Sequence, residues 1–320
     1  MSKILAVFGA TGNQGGSVVT HVLSDPQLSK EYSIRAITRD ASSAKAQALK
    51  ACGVAEVVAA DLTDASTLPA ALAGAHTVFL LAATPGFGGD IRSVQRDSVI
   101  TGADACVAAG VQRIVYSTLP FASKISGGKY TGVAPFDGQA EGEEYIRGLS
   151  DKGVVRSSFV SASAFMQNYR GPLKPRPSPA GDGTYVFTTH VGAESKLPLI
   201  DITELGKWVA AILADFDKLE GKTLCAGSRQ YTMLEIVEHL SASTGKKVVY
   251  KQVSSEDALQ LFGGDRNPAA GVLVEMQLYE EEFGYFGPDT DKLVRWSVEN
   301  AKGHISTFEE YLQREPIQLD

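Results

Sequence analysis

The chain has 320 residues, 44% apolar and 21% charged, a globular balance that excludes extended disorder, a collagen-like repeat and a small disulfide scaffold, and a length that suits one large domain plus a smaller one. Its formal net charge of −7 disfavours direct nucleic-acid binding, because affinity for a polyanion draws on clustered Lys and Arg. Three cysteines, Cys52, Cys106 and Cys225, match no zinc or CxxC spacing and sit among small apolar residues, so they read as packed thiols in a reducing compartment.

Met1-Ser2-Lys3 runs directly into the apolar stretch Ile4 to Gly9, without the charged and long apolar regions of a secretory leader, and no 18-residue apolar run follows. The expected compartment is therefore the cytosol, with the nucleus as a second, and no membrane contact is expected. Short β-rich runs then alternate with helical patterns, the rhythm of βαβ units. Strands are expected at Ile4–Gly9, Ser33–Thr38, Glu56–Ala60, Thr77–Ala82, Arg113–Ser117 and Ser157–Ser163. Helices are expected between them at Gln14–Leu23, Ser42–Lys50, Thr67–Leu72, Asp90–Ala109 and Ala140–Leu149. Near-continuous apolar strands such as Val78-Phe79-Leu80-Leu81 suit a parallel sheet covered on both faces, with right-handed crossovers. The Pro- and Gly-rich segment Arg170–Tyr185 reads as an ordered loop. Beyond it come a helix at Thr203–Asp215, a strand at Lys222–Ala226, a helix at Thr232–Ser243, a strand at Lys247–Val253, and helices at Val272–Phe283 and Thr307–Arg314.

The strongest single feature lies between the first strand and the first helix, where Gly9, Gly12 and Gly15 form GxxGxxG. Glycines there permit a tight turn, a close backbone approach to a pyrophosphate and a close helix-to-strand contact, with the helix N-terminus facing the negative charge. The fold class that follows is α/β: a doubly wound, parallel-sheet Rossmann fold over residues 1–160, with a smaller α+β domain over 161–320. The chain is expected to return to the Rossmann sheet around 197–228.

The second strand ends Thr38-Arg39-Asp40, and the nucleotide depends on what stands there. Arg39 can form a two-pronged pair with a 2′-phosphate, Lys45 can add charge, and Asp40 could instead take ribose hydroxyls. NADP(H) is the expected cofactor, with NAD or mixed use as the alternative. Asp61 closes the third strand, where it either accepts from adenine or simply caps the next helix. The candidate cofactor set is Gly9, Thr11, Gly12, Asn13, Gln14, Gly15, Arg39, Lys45, Asp61, Leu62, Ala82, Ala83, Phe165 and Asn168.

With GATGNQGG (9–16), TRD (38–40), AADLTD (59–64), YST (116–118), Phe136-Asp137-Gly138-Gln139 followed by AEGEEYIR, PLIDI (198–202), YTMLEIVEHLSASTGKKVVYKQVS (231–254) and ISTFEEYL (305–312), the chain resembles the NmrA-like family. That family is a branch of the atypical short-chain dehydrogenase/reductases. The resemblance implies a cleft between the two domains, and one of two roles: NADPH-dependent reduction, or sensing of the NADP(H) state through altered partner contacts.

Classical members of the superfamily carry a proton-donating Tyr with Lys four residues on; none of the eleven tyrosines here has Lys at that spacing, Tyr130 being followed by Ala134. The resemblance places a lysine of NmrA-like reductases where this chain has Gln139, which can donate a hydrogen bond but carries no charge. Ser117, at the end of the fifth strand, matches the serine that polarises substrate, or is an ordinary strand-end hydroxyl. Lys129 and Lys124, on the loop around Ser126-Gly127-Gly128, could replace the missing lysine or be solvated. Phe165, Gln167 and Asn168 match the segment that faces the nicotinamide, or serve as a core aromatic with turn amides. The five histidines are scattered and no metal site is expected.

The leading expectation is a catalytically weak or silent NADP(H)-binding regulator acting through a protein partner. The alternative is an NADPH-dependent reductase of a quinone-like or conjugated small-molecule acceptor. A sugar-nucleotide epimerase or dehydratase would need the Tyr–Lys pair that is absent. The expected assembly is a monomer or homodimer.

Overall fold

A computed structural model describes residues 2–85 and 89–319. Its first strands are β1 (Lys3–Phe8), β2 (Tyr32–Thr38), β3 (Glu56–Ala59), β4 (Ala75–Leu81), β5 (Arg113–Thr118) and β6 (Arg156–Ala162). Then follow β7 (Ala164–Phe165), β8 (Arg176–Pro177), β9 (Tyr185–Thr189), β10 (Lys196–Ile200), β11 (Thr223–Ala226), β12 (Gln230–Thr232) and β13 (Val248–Gln252). A seven-stranded sheet runs in the order β11-β6-β5-β4-β1-β2-β3, and every pairing in it is parallel. This is the Rossmann-like α/β architecture expected from the alternating pattern. The order reverses between β1 and β4, which opens a crevice at their carboxyl ends.

The central strands β1, β4 and β5 are covered on both faces, which is why their runs are mostly apolar. Leu5, Val7, Phe79 and Val115 point to a core shared with the helices Asn13–Ser24 and Gly206–Ala214 and with Trp208. Ala6, Val78, Leu80 and Ile114 point to a second core, which includes Val99, Ala103 and Cys106 of the helix Ile91–Ala108 and Ile146 of the helix Ala134–Asp151. Each fully buried Leu or Phe contributes about 1.5–3 kcal/mol. Two small sheets, β12-β10-β7 and β13-β9-β8, enclose a third core around Tyr169, Tyr231 and Phe308.

Several elements differ from the sequence pattern. The helix expected from Ala140 begins at Ala134 with a proline in its first turn, a position where the missing N–H costs nothing, so Phe136 to Gln139 lie inside it. The segment 170–185 carries a two-residue strand, β8, that pairs with β9. β9 and the helix Thr290–Glu299 have no counterpart among the expected elements. β11 pairs with β6, and the stretch before it docks on the first helix: Ser17 Oγ donates to the Thr203 carbonyl (2.6 Å) and accepts from the Gly206 N–H (2.8 Å). A Cβ at Gly206 would lie 2.3 Å from the Ser17 carbonyl, so only glycine allows the two helices this approach.

Candidate functional site

The carboxyl ends of β1 to β5 deliver Gly9–Gly15, Arg39, Asp61, Ala82 and Ser117 to one edge of the sheet. β1 stops at Phe8, and Gly9 adopts a φ of +63°, a left-handed conformation that disfavours side chains. The Gly12 N–H donates to the Gly9 carbonyl (2.8 Å), closing the turn. Gly15 sits so close that a Cβ would lie 2.4 Å from the Gly9 oxygen. The helix Asn13–Ser24 then starts with no side-chain cap and no acidic residue in its first turn, so its positive end faces the crevice uncompensated.

The turn is tied to the second strand. The Ala10 N–H donates to the Ile37 carbonyl (3.2 Å), and the Thr11 and Thr38 hydroxyls lie 3.3 Å apart. Arg39 follows directly, exposed and unpaired among the described residues, as is Lys45 in the first turn of the helix Ala44–Ala51. Asp40 does not face the crevice alone: its Oδ1 accepts from the Ser42 hydroxyl (2.6 Å) and N–H (2.8 Å), and these bonds hold its carboxyl below the usual range. Asp40 shapes the loop that presents Arg39.

Asp61 accepts from the Thr63 N–H (2.9 Å) and hydroxyl (2.8 Å) through one oxygen, while Asp64 caps the short helical turn that follows. Leu62 is buried: a Cβ at Gly102 would lie 2.8 Å from its Cδ2, so its side chain packs the core. Ala82 is buried at the end of β4, and the Ala83 N–H donates to Ser98 Oγ (3.0 Å). Phe165 lies in β7, its register partner being Ile200 of β10, and packs against the first core. Asn168 is half-buried, and its carbonyl accepts from the N–H groups of Gly171 (3.1 Å) and Leu173 (2.9 Å). Gln167 is held in the framework instead, its amide donating to Asp201 (2.7 Å) and accepting from the Ile202 N–H (3.3 Å).

The candidate proton donors are occupied or displaced. Ser117 is 2% exposed, and its hydroxyl donates to Gln14 Oε1 (2.6 Å), joining the end of β5 to the glycine-rich turn. Lys129 forms an ion pair with Glu282, which also accepts from the Tyr130 hydroxyl (2.8 Å) and raises the lysine's pKa. Lys124 pairs with Glu144. Gln139 lends its carbonyl to the Tyr116 hydroxyl (3.1 Å), and its side-chain amide has no hydrogen bond among the described residues. Burial pushes the Tyr116 phenol well above its usual value, and burial followed by Glu282 raises Tyr130. No group of three or more His, Cys, Asp and Glu side chains that could hold a metal occurs among the described residues.

Sequence reasoning missed Glu280. In the run Tyr279-Glu280-Glu281-Glu282 it resembles part of a solvated face, yet it is 8% exposed and burial pushes its carboxyl up to about 8. The available signal was helical period: Met276, Tyr279, Glu280 and Phe283 share one face of the helix Ala270–Phe283, and its neighbours there are apolar. Its flanking glutamates hold loops: Glu275 accepts from the Gly132 N–H (2.7 Å), and Glu281 from the Gly192 N–H and the Ser195 hydroxyl (both 2.6 Å).

A parallel sheet with its switch point beside an uncapped, glycine-rich strand-to-helix turn defines a Rossmann protein of the dinucleotide type. The model of the NmrA-like family matches residues 1–312, and the chain belongs to that family. It is 28% identical to an NmrA-like family domain-containing oxidoreductase of Aspergillus japonicus, over 93% of this chain and 90% of that protein. Among solved structures it superposes on the negative transcriptional regulator NmrA in complex with NAD, with a TM-score of 0.76 and 20% identity, covering 97% of this chain and 94% of the other. It likewise superposes on Citrobacter sp. triphenylmethane reductase complexed with NADP(H), with a TM-score of 0.73 and 22% identity, covering 98% and 99%.

Proposed function

We propose that this chain binds NADP(H) at the glycine-rich turn and acts as a catalytically weak or silent redox sensor, its nucleotide state biasing a contact with a protein partner. The residues fit the group. Gly9, Gly12 and Gly15 make a turn so tight that a Cβ at Gly15 would lie 2.4 Å from the Gly9 oxygen, which holds the first helix against β1, and the uncapped N-terminus of that helix suits a pyrophosphate. Arg39 and Lys45, both exposed and unpaired among the described residues, suit a 2′-phosphate, whereas Asp40 is committed to Ser42. The nucleotide, when bound, supplies a hydride donor or acceptor. The neighbours' complexes with NAD and NADP(H) support the same reading.

The observation that carries the silent assignment is the engagement of the candidate serine and lysines elsewhere, Ser117 with Gln14, Lys129 with Glu282 and Lys124 with Glu144, which leaves at the site only the uncharged amide of Gln139. General acid assistance is worth about 10² to 10⁴ in rate, so its loss leaves binding intact and turnover slow. Calorimetric titration with NADP⁺, NADPH, NAD⁺ and NADH, followed by NADPH absorbance with a quinone panel, tests the reading. Tight NADP(H) binding without consumption supports it; steady consumption overturns it. The second reading, an NADPH-dependent reductase of a quinone-like or conjugated acceptor, is favoured by the oxidoreductase name of the Aspergillus relative and by the triphenylmethane reductase neighbour.

A further inference from the structure

A cavity of about 30 Å³ lies away from the glycine-rich turn, walled by Tyr169, Phe187, Val191, Leu197, Phe262 and Glu280. The Glu280 carboxyl is more than nine-tenths buried and forms no hydrogen bond or ion pair among the described residues. An isolated buried carboxyl costs several kcal/mol as an anion, so without a partner it keeps its proton near neutral pH. Among the described residues no ionisable group forms an ion pair with it. Tyr169, Tyr279 and Tyr285 are phenols whose own titration the Glu280 charge would raise, and Glu281 on the next position is acidic. His190 points Nε2 at the Val274 carbonyl (3.2 Å), and Lys196, which borders the cavity, is exposed and forms no ion pair with Glu280.

We propose that this cavity is a binding site for a small organic cation, an ammonium on an apolar body, whose charge is met by the Glu280 carboxyl and whose body lies against the rings of Tyr169 and Phe187. The space suits an ammonium head, since it is a few times what one water needs. A neighbouring pocket of about 70 Å³ shares Leu173, Phe187, Thr188 and Phe262 as walls and gives the apolar body somewhere to go. Phe262 lines both spaces and is followed by Gly263 and Gly264, at φ +106° and +53°. Aromatic faces attract a desolvated cation, and a lone carboxyl supplies the counter-charge. The bound ammonium ionises the acid, so one proton leaves the Glu280 carboxyl for solvent as each cation enters.

The probe is benzylammonium, titrated calorimetrically into the full chain at pH 6, 7 and 8 in buffers of different ionisation enthalpy, with benzyl alcohol and benzoate as neutral and anionic counterparts. Expected are saturable 1:1 binding of benzylammonium, release of close to one proton at pH 6, and affinity rising nearly tenfold per pH unit up to the acid's own titration. Glu280→Gln should weaken binding at least tenfold at pH 8 while NADP⁺ binding and near-ultraviolet circular dichroism stay unchanged. Phe187→Leu should weaken it several-fold. Benzyl alcohol binding as tightly as benzylammonium, binding without proton release, no binding of the cation, or full retention in Glu280→Gln would each overturn the proposal. The wild-type ligand series decides the matter even where a variant fails to fold.

Discussion

At the scale of single residues, the glycine-rich turn and the charge beside it are separable. Gly15→Ala places a methyl group 2.4 Å from the Gly9 oxygen, which the turn can relieve only by moving the first helix off the strand. NADP(H) affinity in that variant should fall by roughly 100-fold or more, about 2.7 kcal/mol, for both NADP⁺ and NAD⁺ in parallel calorimetric titrations. Arg39→Glu changes only the group that discriminates them. Replacing an unpaired guanidinium by a carboxylate should cost NADP⁺ roughly 10- to 100-fold and leave NAD⁺ nearly unaffected or improved. Equal losses for both nucleotides would show that Arg39 does not meet the 2′-phosphate.

Glu280 carries a pH consequence of its own. Its carboxyl is raised from 4.5 to about 8 in the folded chain, so between those values the folded state holds a proton that the unfolded state has lost. Stability from this group is therefore present below about pH 4.5 and declines as pH rises to about 8, with a limiting slope near 1.4 kcal/mol per pH unit. Glu280→Gln cannot ionise. Urea unfolding at pH 5 and pH 9 should show the variant losing less stability over that interval than the parent chain; identical pH slopes would mean that Glu280 is ionised in the fold.

At the scale of elements, the join between the first helix and the segment 201–206 rests on a few atoms. Ser17 Oγ both donates to Thr203 and accepts from the buried Gly206 N–H. Ser17→Ala leaves that N–H and carbonyl unsatisfied and should destabilise the chain by about 1–3 kcal/mol in urea unfolding. The capping box on the helix Met233–Thr244 is a milder case, with Thr232 and Glu235 exchanging hydrogen bonds, and Thr232→Ala should cost about 1 kcal/mol. What the sequence made legible follows from range. Strands such as β1 and β4 announce themselves because both faces are buried and the apolar runs are nearly continuous, and the glycine turn is a contiguous motif. The helix Ala134–Asp151 starts six residues before the expected Ala140, and Pro135 is tolerated because it falls in the first turn. β9 is half-buried and paired with residues more than sixty positions on, and Ser117 finds Gln14 across the sheet. Such contacts have no local pattern, so the fate of the candidate donors had to come from the fold.

At the scale of the whole molecule, the question is whether nucleotide state can reach a distant surface. The nucleotide turn is wired outward: Gln14 holds Ser117 at the end of β5, Ser17 holds the segment before the helix Gly206–Ala214, and Asp201 in that segment accepts from Gln167 and pairs with Arg314 of the C-terminal helix. A change in the turn thus has a continuous hydrogen-bonded route into the smaller sheets and the last helix. Connection alone shifts no equilibrium, because a ligand bound equally by two conformations favours neither. A sensor therefore requires NADP⁺ and NADPH to differ in affinity by about tenfold or more, some 1.4 kcal/mol, and the difference must pass through this route. Arg314→Ala, which cuts the far end of the route without touching the turn, should leave the tighter nucleotide bound while narrowing the gap between the two. Calorimetric Kd values for both redox states in parent and variant, paired with small-angle scattering of each complex, make the comparison. An unchanged gap, with scattering curves that superimpose for both nucleotides, would place any redox response at the crevice itself and move the weight of the functional assignment to the reductase.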